Sequence, residues 1–582
     1  MGVVLRLAAA GLALCACHAQ TALFPLKEIK PGLRGVGKTV FLGDRIENFQ
    51  VEILGVLENV GPKRSLILAR LSGGPLAQTG VLQGMSGSPV YISGKLAGAV
   101  AMAFTFSKEA IAGIRPIEEM LPVAAAAPSR RVGIRVEPEN LLAGLPEIPE
   151  VRLGATRLTP IATPVRLAGF TQGTIERFGP QLRGLGLEPV QGVSGGSSRV
   201  TALGDPSRLK PGSMISVQLA RGDFSAGADG TVTHIDGNRV YAFGHRFLAI
   251  GSADLPFARA EVLTLLPSLN TSFKISSTME PLGVIAHDRD TAIAGELGRQ
   301  ARMIPVAIHV KGAANVSYRM EIVNDRFLTP FLVQLMTYSA IDATERMAGP
   351  GSVTLRGQIS FDGEREPLRV ANLYSGDTVV AAQVALGAAL PLAYVLQSSF
   401  ERLRPRSVTL DISLEERKRQ AVIVDAYPSR RTVKPGETVE LFVVLRGDGG
   451  ADQVRKVAYR IPPGMSPGTV NFTILDALAA NLMEIRKLLN TPKSASQLIE
   501  TVNTLRTSEK AYVRVWRNEP SYTADGAELP DPPASVAMIL AKMPSQPGIL
   551  TSSQGARLAE LEIDAAGLAV TGSRTAQVEV KE

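Results

Sequence analysis

Gly84-Met85-Ser86-Gly87-Ser88-Pro89 is the stretch on which the reading of this chain turns. It has the form G-x-S-G-x-P, with a serine on a tight turn between two glycines. Glycine accepts backbone angles that other residues resist, so such a turn can aim several N–H groups at one point beside the hydroxyl. The proline then leads the chain back into an extended path. Ser86 is therefore a nucleophile candidate, and the amides of Gly84 and Ser86 are the candidate oxyanion hole. An ordinary Gly/Ser-rich β-turn fits the same six residues, so the surroundings have to decide.

Those surroundings read as short strands. Val51–Leu57 and Ser65–Leu71 precede the turn; Pro89–Ile92 and Leu96–Val100 follow it, joined through Ser93-Gly94-Lys95 as a hairpin. The 582-residue chain is 45% hydrophobic and 20% charged, an ordinary globular composition. With 56 glycines and 38 prolines it favours strands and turns over long helices. Its length implies roughly three to five domains.

A serine nucleophile needs a base. The chain has five histidines. His18 lies in the N-terminal apolar segment, His234 and His309 sit inside strand patterns, and His287 falls in the polar run His287-Asp288-Arg289-Asp290, which reads as a solvated loop. His245 differs. The hairpin Gly230–Ile235, Asp236-Gly237-Asn238, Val240–Phe243 ends at Gly244-His245, where a glycine lets the ring project into a cleft.

Two separated segments resemble the SpoIVB serine peptidase family, which has a trypsin-like fold. The first runs from Gly80-Val81-Leu82-Gln83 through the serine turn and Gly94–Val100 to Gly113–Leu121; the second runs from Gly230 to Gly244-His245. The resemblance implies that Ser86 is the nucleophile and His245 the general base. It implies a mainly β fold of two trypsin-like β-barrel halves, with the serine and histidine halves in reversed order. The family carries an acidic residue shortly before the serine, but here that region reads Arg70-Leu71-Ser72-Gly73-Gly74-Pro75. Asp254 or Asp288 could orient His245 instead, the site could be a dyad, or it could be inactive. The implied function is an exported serine endopeptidase acting on protein or peptide substrates. The other reading is a catalytically inactive peptidase-like scaffold or peptide-binding protein.

The rest of the chain divides as follows: signal peptide 1–19, serine-bearing half 28–123, linker and small mixed unit 124–205, histidine-bearing half 206–315, mixed α/β region 316–420, and a C-terminal β-sandwich with helical insertions, 421–582. Arg6, the apolar run Leu7–Cys17 and the small residues to Ala19 have the order of a secretory signal, which places the chain in the periplasm or outside the cell. Leu14-Cys15-Ala16-Cys17 also fits a lipoprotein signal, with membrane association through a lipidated Cys17. Both cysteines lie in this region, so no disulfide is expected beyond it. Val379–Leu396 is apolar and reads as a buried helical hairpin or broken helix. A helix is expected to be capped by Thr329 and stopped at Gly349-Pro350. Ile474–Leu489 and Ser494–Leu505 read as a helical pair.

Gly32-Leu33-Arg34-Gly35-Val36-Gly37-Lys38-Thr39 matches a phosphate-binding pattern, but a strand-like segment follows it where a helix is required, so it reads as a turn entering a barrel. The net charge of +8 is scattered, with no basic run interleaved with aromatics, which argues against nucleic acid. No cofactor and no metal site are expected.

Overall fold

The structure is a computed structural model. It describes residues 21–582 except 105–106, 126–135, 154–155, 193–201, 345–348, 379, 401–402, 491–493, 525–526, 531 and 544–549. The signal-type segment, Cys17 and most of the linker stretches 124–129 and 192–198 lie outside these residues.

Six strands close the first barrel: β1 (Arg34–Leu42), β2 (Arg45–Gly61), β3 (Arg64–Ser72), β4 (Pro89–Ile92), β5 (Lys95–Phe104) and β6 (Ile111–Pro116). Their order is β4-β1-β2-β3-β6-β5, and β5 pairs back onto β4. Every pairing in the ring is antiparallel. Alternate residues point inward, as the pleat requires, so Phe49, Val51 and Ile53 of β2 meet Ile67, Ala69 and Leu71 of β3 in one core. The phosphate-binding pattern indeed runs into a strand: Arg34–Leu42 is β1.

β7 (Val151–Leu153) and β8 (Thr156–Pro160) extend this sheet from β5. β9 (Thr163–Ala168) and β10 (Leu187–Gln191) pair in parallel across the helix Gln172–Gly184 and join the second sheet. The second barrel follows: β11 (Met214–Gly222), β12 (Ser225–Asp236), β13 (Arg239–Ala242), β14 (Gly251–Leu266), β15 (Phe273–Arg289) and β16 (Ala292–Leu297). The ring β12-β13-β16-β15-β14-β11 closes through β11 on β12 and is again antiparallel throughout. The chain is thus mainly β, with the paired six-stranded barrels of a trypsin-like fold.

From β11 the second sheet continues through β18 (Asn315–Val323), β17 (Met303–Lys311), β21 (Pro405–Glu415), β19 (Gly351–Phe361) and β20 (Leu368–Gly376). Two apolar helices, Leu328–Thr344 and Val380–Leu396, share its core. The second is one continuous helix with Pro391 inside, not a hairpin, and no helix among the described residues is long and apolar enough to cross a membrane. The first starts differently from its sequence expectation. Asp325 caps it, accepting from the N–H groups of Phe327 and Leu328, while the Thr329 hydroxyl donates to the Val323 carbonyl. An acceptor one turn earlier satisfies the orphan amides better than a hydroxyl inside the helix.

Beyond residue 420, a four-stranded and a six-stranded sheet enclose one core, with Ile423, Leu441 and Val443 against Phe472, Val513 and Val578. This is a β-sandwich. Its helices are Ala477–Asn490 and Ala495–Asn503; Ile474 and Leu475 end a strand instead of opening the first helix.

Candidate active site

The serine turn hangs between β3 and β4 of the first barrel, yet its carbonyls are held by the second. Thr231 Oγ1 donates to the Gly84 carbonyl at 2.8 Å, the Thr231 N–H to the Ser86 carbonyl at 2.8 Å, and Thr233 Oγ1 to the Gly87 carbonyl at 2.7 Å. Both threonines lie on β12 and are fully buried. One residue earlier, Gln83 forms a parallel bridge with Phe273: its N–H donates to Ser272, and the N–H of Lys274 donates to its carbonyl.

The fit at Gly87 is tight. Its φ is +93°, and a Cβ there would stand 2.0 Å from the Thr231 carbonyl oxygen and 2.5 Å from the Phe243 nitrogen. Glycine is required on both counts.

The amides of the turn divide into two sets. Those of Met85, Gly87 and Ser88 donate to Leu82, Val100 and Met85. Those of Gly84 and Ser86 make no hydrogen bond with any described residue. The two free donors are the pair expected from the sequence to form the oxyanion hole.

His245 reaches the same seam. Gly244, with φ +70°, packs against Ala99 and Ala101 of β5, and Phe243 packs on Gly87, so the residues flanking the histidine touch the serine-bearing barrel. The ring is 3% exposed, and its Nδ1 lies 2.6 Å from the Arg246 carbonyl oxygen. A carbonyl only accepts, so Nδ1 carries the proton and Nε2 keeps its lone pair. Nε2 is buried without a partner, as is Ser86 Oγ. Burial pushes the His245 pKa down to about 4; Arg115 and Arg246 push the same way, against the Arg246 carbonyl. No hydrogen bond joins Ser86 and His245, and Ser86 has no accessible surface, so the site is closed.

The two aspartates weighed for the third position lie apart from the ring. Asp254 pairs with the Arg299 guanidinium and accepts from the Arg302 N–H at the surface. Asp288 is fully buried and accepts from the N–H groups of Phe247, Leu248 and Ile250 at 2.8, 2.7 and 3.3 Å. It fixes the loop that follows His245, while the Arg246 carbonyl orients the ring. Burial raises the Asp288 pKa to about 6, against the pull of those three amides. The polar run 287–290 is therefore not a solvated loop: His287, Asp288 and Arg289 end strand β15.

Of the remaining histidines, His234 stacks on Tyr241 and His309 Nδ1 pairs with Ser317. No group of His, Cys, Asp and Glu among the described residues is arranged to hold a metal. Sequence reasoning missed the buried polar cluster below the turn. Arg166 grips Asp229 with two hydrogen bonds, Ser276 donates to the same carboxylate, and Lys274 Nζ donates to Thr39 Oγ1 at 2.8 Å. A cavity of about 610 Å³ opens beside the approach to the turn, lined by Thr79, Gln83 and Phe104 from one side and Asn270 and Ser272 from the other.

Two barrels that meet at a glycine-rich serine turn and a histidine define the architecture of a trypsin-like serine peptidase. Residues 18–121, which carry the serine-bearing barrel, match the SpoIVB peptidase S55 family. The chain is thus similar at family level to the SpoIVB-type serine peptidases, whose substrates are proteins. No curated protein and no solved structure matches it.

Proposed function

We propose that this chain is an exported serine endopeptidase in which Ser86 attacks and His245 Nε2 moves the proton. The observation that carries the reading is the division of the amides: the turn satisfies every N–H group from Met85 to Ser88 except that of Ser86, and leaves Gly84 free with it. Unspent donors on either side of a nucleophile are what a developing oxyanion needs.

The chemistry follows from the tautomer. Ser86 Oγ adds to the substrate carbonyl carbon as its proton passes to Nε2, and the carbonyl oxygen takes the electron pair beside the Gly84 and Ser86 amides. The tetrahedral intermediate collapses, the C–N bond breaks, and Nε2–H protonates the leaving amine. Water, deprotonated by the same nitrogen, then releases the acyl group. Among the described residues no carboxylate stands beside the imidazolium, only the Arg246 carbonyl, so the site works as a dyad.

Closure of the site favours a latent form over an absent function: the buried Ser86 hydroxyl and His245 Nε2 each forgo a hydrogen bond, at about 1–3 kcal/mol per group. Opening the site relieves that cost. The N-terminal charged, apolar, small-residue order supports export, and sequencing the N-terminus of the periplasmic form would locate cleavage near Ala19.

The test of the activity is a fluorophosphonate probe on the full chain. The wild type should label, Ser86→Ala should not, and His245→Gln should label at least a hundredfold more slowly. Equal labelling of the wild type and Ser86→Ala removes Ser86 as the nucleophile, and the inactive peptide-binding scaffold then takes its place.

A further inference from the structure

Lys274 is 1% exposed and, among the described residues, is the only basic one of the largest fully buried side chains. Its position is fixed from both ends. The backbone N–H donates to the Gln83 carbonyl, which ties β15 to the segment entering the serine turn. The side-chain stem lies over Gly84, where a Cβ would meet Lys274 Cδ, Cγ and Cβ at 3.2, 3.5 and 3.6 Å. The head reaches Thr39 on β1, itself fully buried.

A buried ammonium is costly unless something compensates it. The charged group that acts on it is Asp229 on β12, the partner of Arg166 on β9. Asp229 is already engaged by the Arg166 guanidinium and by Ser276. The Lys274 charge is therefore left largely uncompensated, with one hydroxyl for its three protons. Burial pushes its pKa down to about 7, and Asp229 only partly offsets this. A hydrophobic residue would fill the space without that strain, so the conspicuous fact is that the side chain whose stem lies against the α carbon of Gly84 ends in a buried cation.

We propose that Lys274 is a positioning residue for the oxyanion hole: its stem backs Gly84, and its ammonium form favours negative charge at the Gly84 and Ser86 amides. The role rests on the serine-peptidase reading, since an oxyanion forms only if Ser86 reacts. In a water-poor seam a cation whose stem packs on the turn acts on the donors through the field, without touching substrate.

The experiment measures the fluorophosphonate labelling rate of the full chain from pH 5 to 9, in the wild type and in Lys274→Met. The wild-type rate should fall about tenfold as pH rises through about 7 and the ammonium is lost. Lys274→Met should show the low rate throughout, with no inflection near 7. A variant whose inflection persists, or whose rate at pH 6 equals the wild type's, overturns the assignment; a purely structural lysine would shift the melting temperature and leave the profile unchanged. The Gly84 N–H resonance of 15N-glycine-labelled protein supplies a readout that needs no reaction. It should titrate near pH 7 in the wild type and stay flat in Lys274→Met; a flat wild-type resonance refutes the coupling. If the wild type labels no better than Ser86→Ala, the peptidase reading fails and the oxyanion-hole role falls with it; a wild type that labels while its Gly84 resonance stays flat overturns the Lys274 assignment alone.

Discussion

His245 and Asp288 are buried on either side of one short loop, and their ionisations should oppose each other across the same pH range. The His245 pKa falls from 6.5 to about 4 on folding. Between those values the unfolded chain binds a proton that the folded chain does not, so stability rises with pH by about 1.4 kcal/mol per pH unit. Over the full interval this amounts to about 3 kcal/mol. Asp288 runs the other way. Its pKa rises from 3.8 to about 6, so the folded chain holds a proton that the unfolded chain has released. Its contribution is full below 3.8 and is lost as pH climbs through 6, again by about 3 kcal/mol. The two slopes nearly cancel. His234 and His287, also pushed down by burial, add a small rise to what remains. Hydrogen exchange of the peptide spanning 240–250, corrected for intrinsic pH dependence, reads the opening free energy of this loop. The wild type should be almost level from pH 4.5 to 6. Asp288→Asn should become more protected with rising pH, and His245→Gln less protected, each by about 1.4 kcal/mol per pH unit. Asp288→Asn also turns an NH2 group toward the loop amides and lowers protection overall, so the slope is the quantity to read. A level profile for Asp288→Asn, or slopes of the same sign in both variants, would refute the reasoning.

Gly87→Ala should lower the stability of the barrel pair by about 3 kcal/mol, since a left-handed backbone angle and a collision with the Thr231 carbonyl both act at that position; the drop would show in thermal melts. Ser86→Ala should lose all labelling yet gain about 1 kcal/mol, because it deletes a buried hydroxyl that has no partner; a loss in melting temperature would count against a closed, unsatisfied site. Thr231→Val removes the donor to the Gly84 carbonyl and should cost about 1–2 kcal/mol, with slower labelling as the turn loosens.

What could be read from the sequence follows the range of the interactions. The serine turn and the Gly-His hairpin end were visible because their chemistry is written in consecutive residues. The alternation of β2 and β3 announced strands for the same reason. Asp288 was singled out as a partner for His245, but its burial and its real partners were not visible. Its three partners lie some forty residues upstream, so its run of charges looked solvated when in fact a strand end carries it into the core. Lys274 was hidden likewise, because nothing local shows that the segment after Ser272 docks against Gln83. Asp325 was passed over for Thr329 by the ordinary preference for a cap next to the apolar run, while the tertiary contact of Thr329 with Val323 placed it inside the helix.

The reversed order of the two halves matters little once the bonding of the turn is followed atom by atom. The carbonyls of Gln83, Gly84, Ser86 and Gly87 all accept from the histidine-bearing barrel, through Lys274, Thr231 and Thr233. The serine-bearing barrel holds the amides of its own turn, through Val100, while the partner barrel holds the carbonyls, and it can do so from either end of the chain. This also limits how the site opens. Drawing the barrels apart would break these bonds together and release the geometry that leaves the Gly84 and Ser86 amides free. Access to Ser86 must then come from the segments lining the seam, with the barrel contact intact. The loop after His245, held in part by a carboxylate whose charge changes near pH 6, is one such segment.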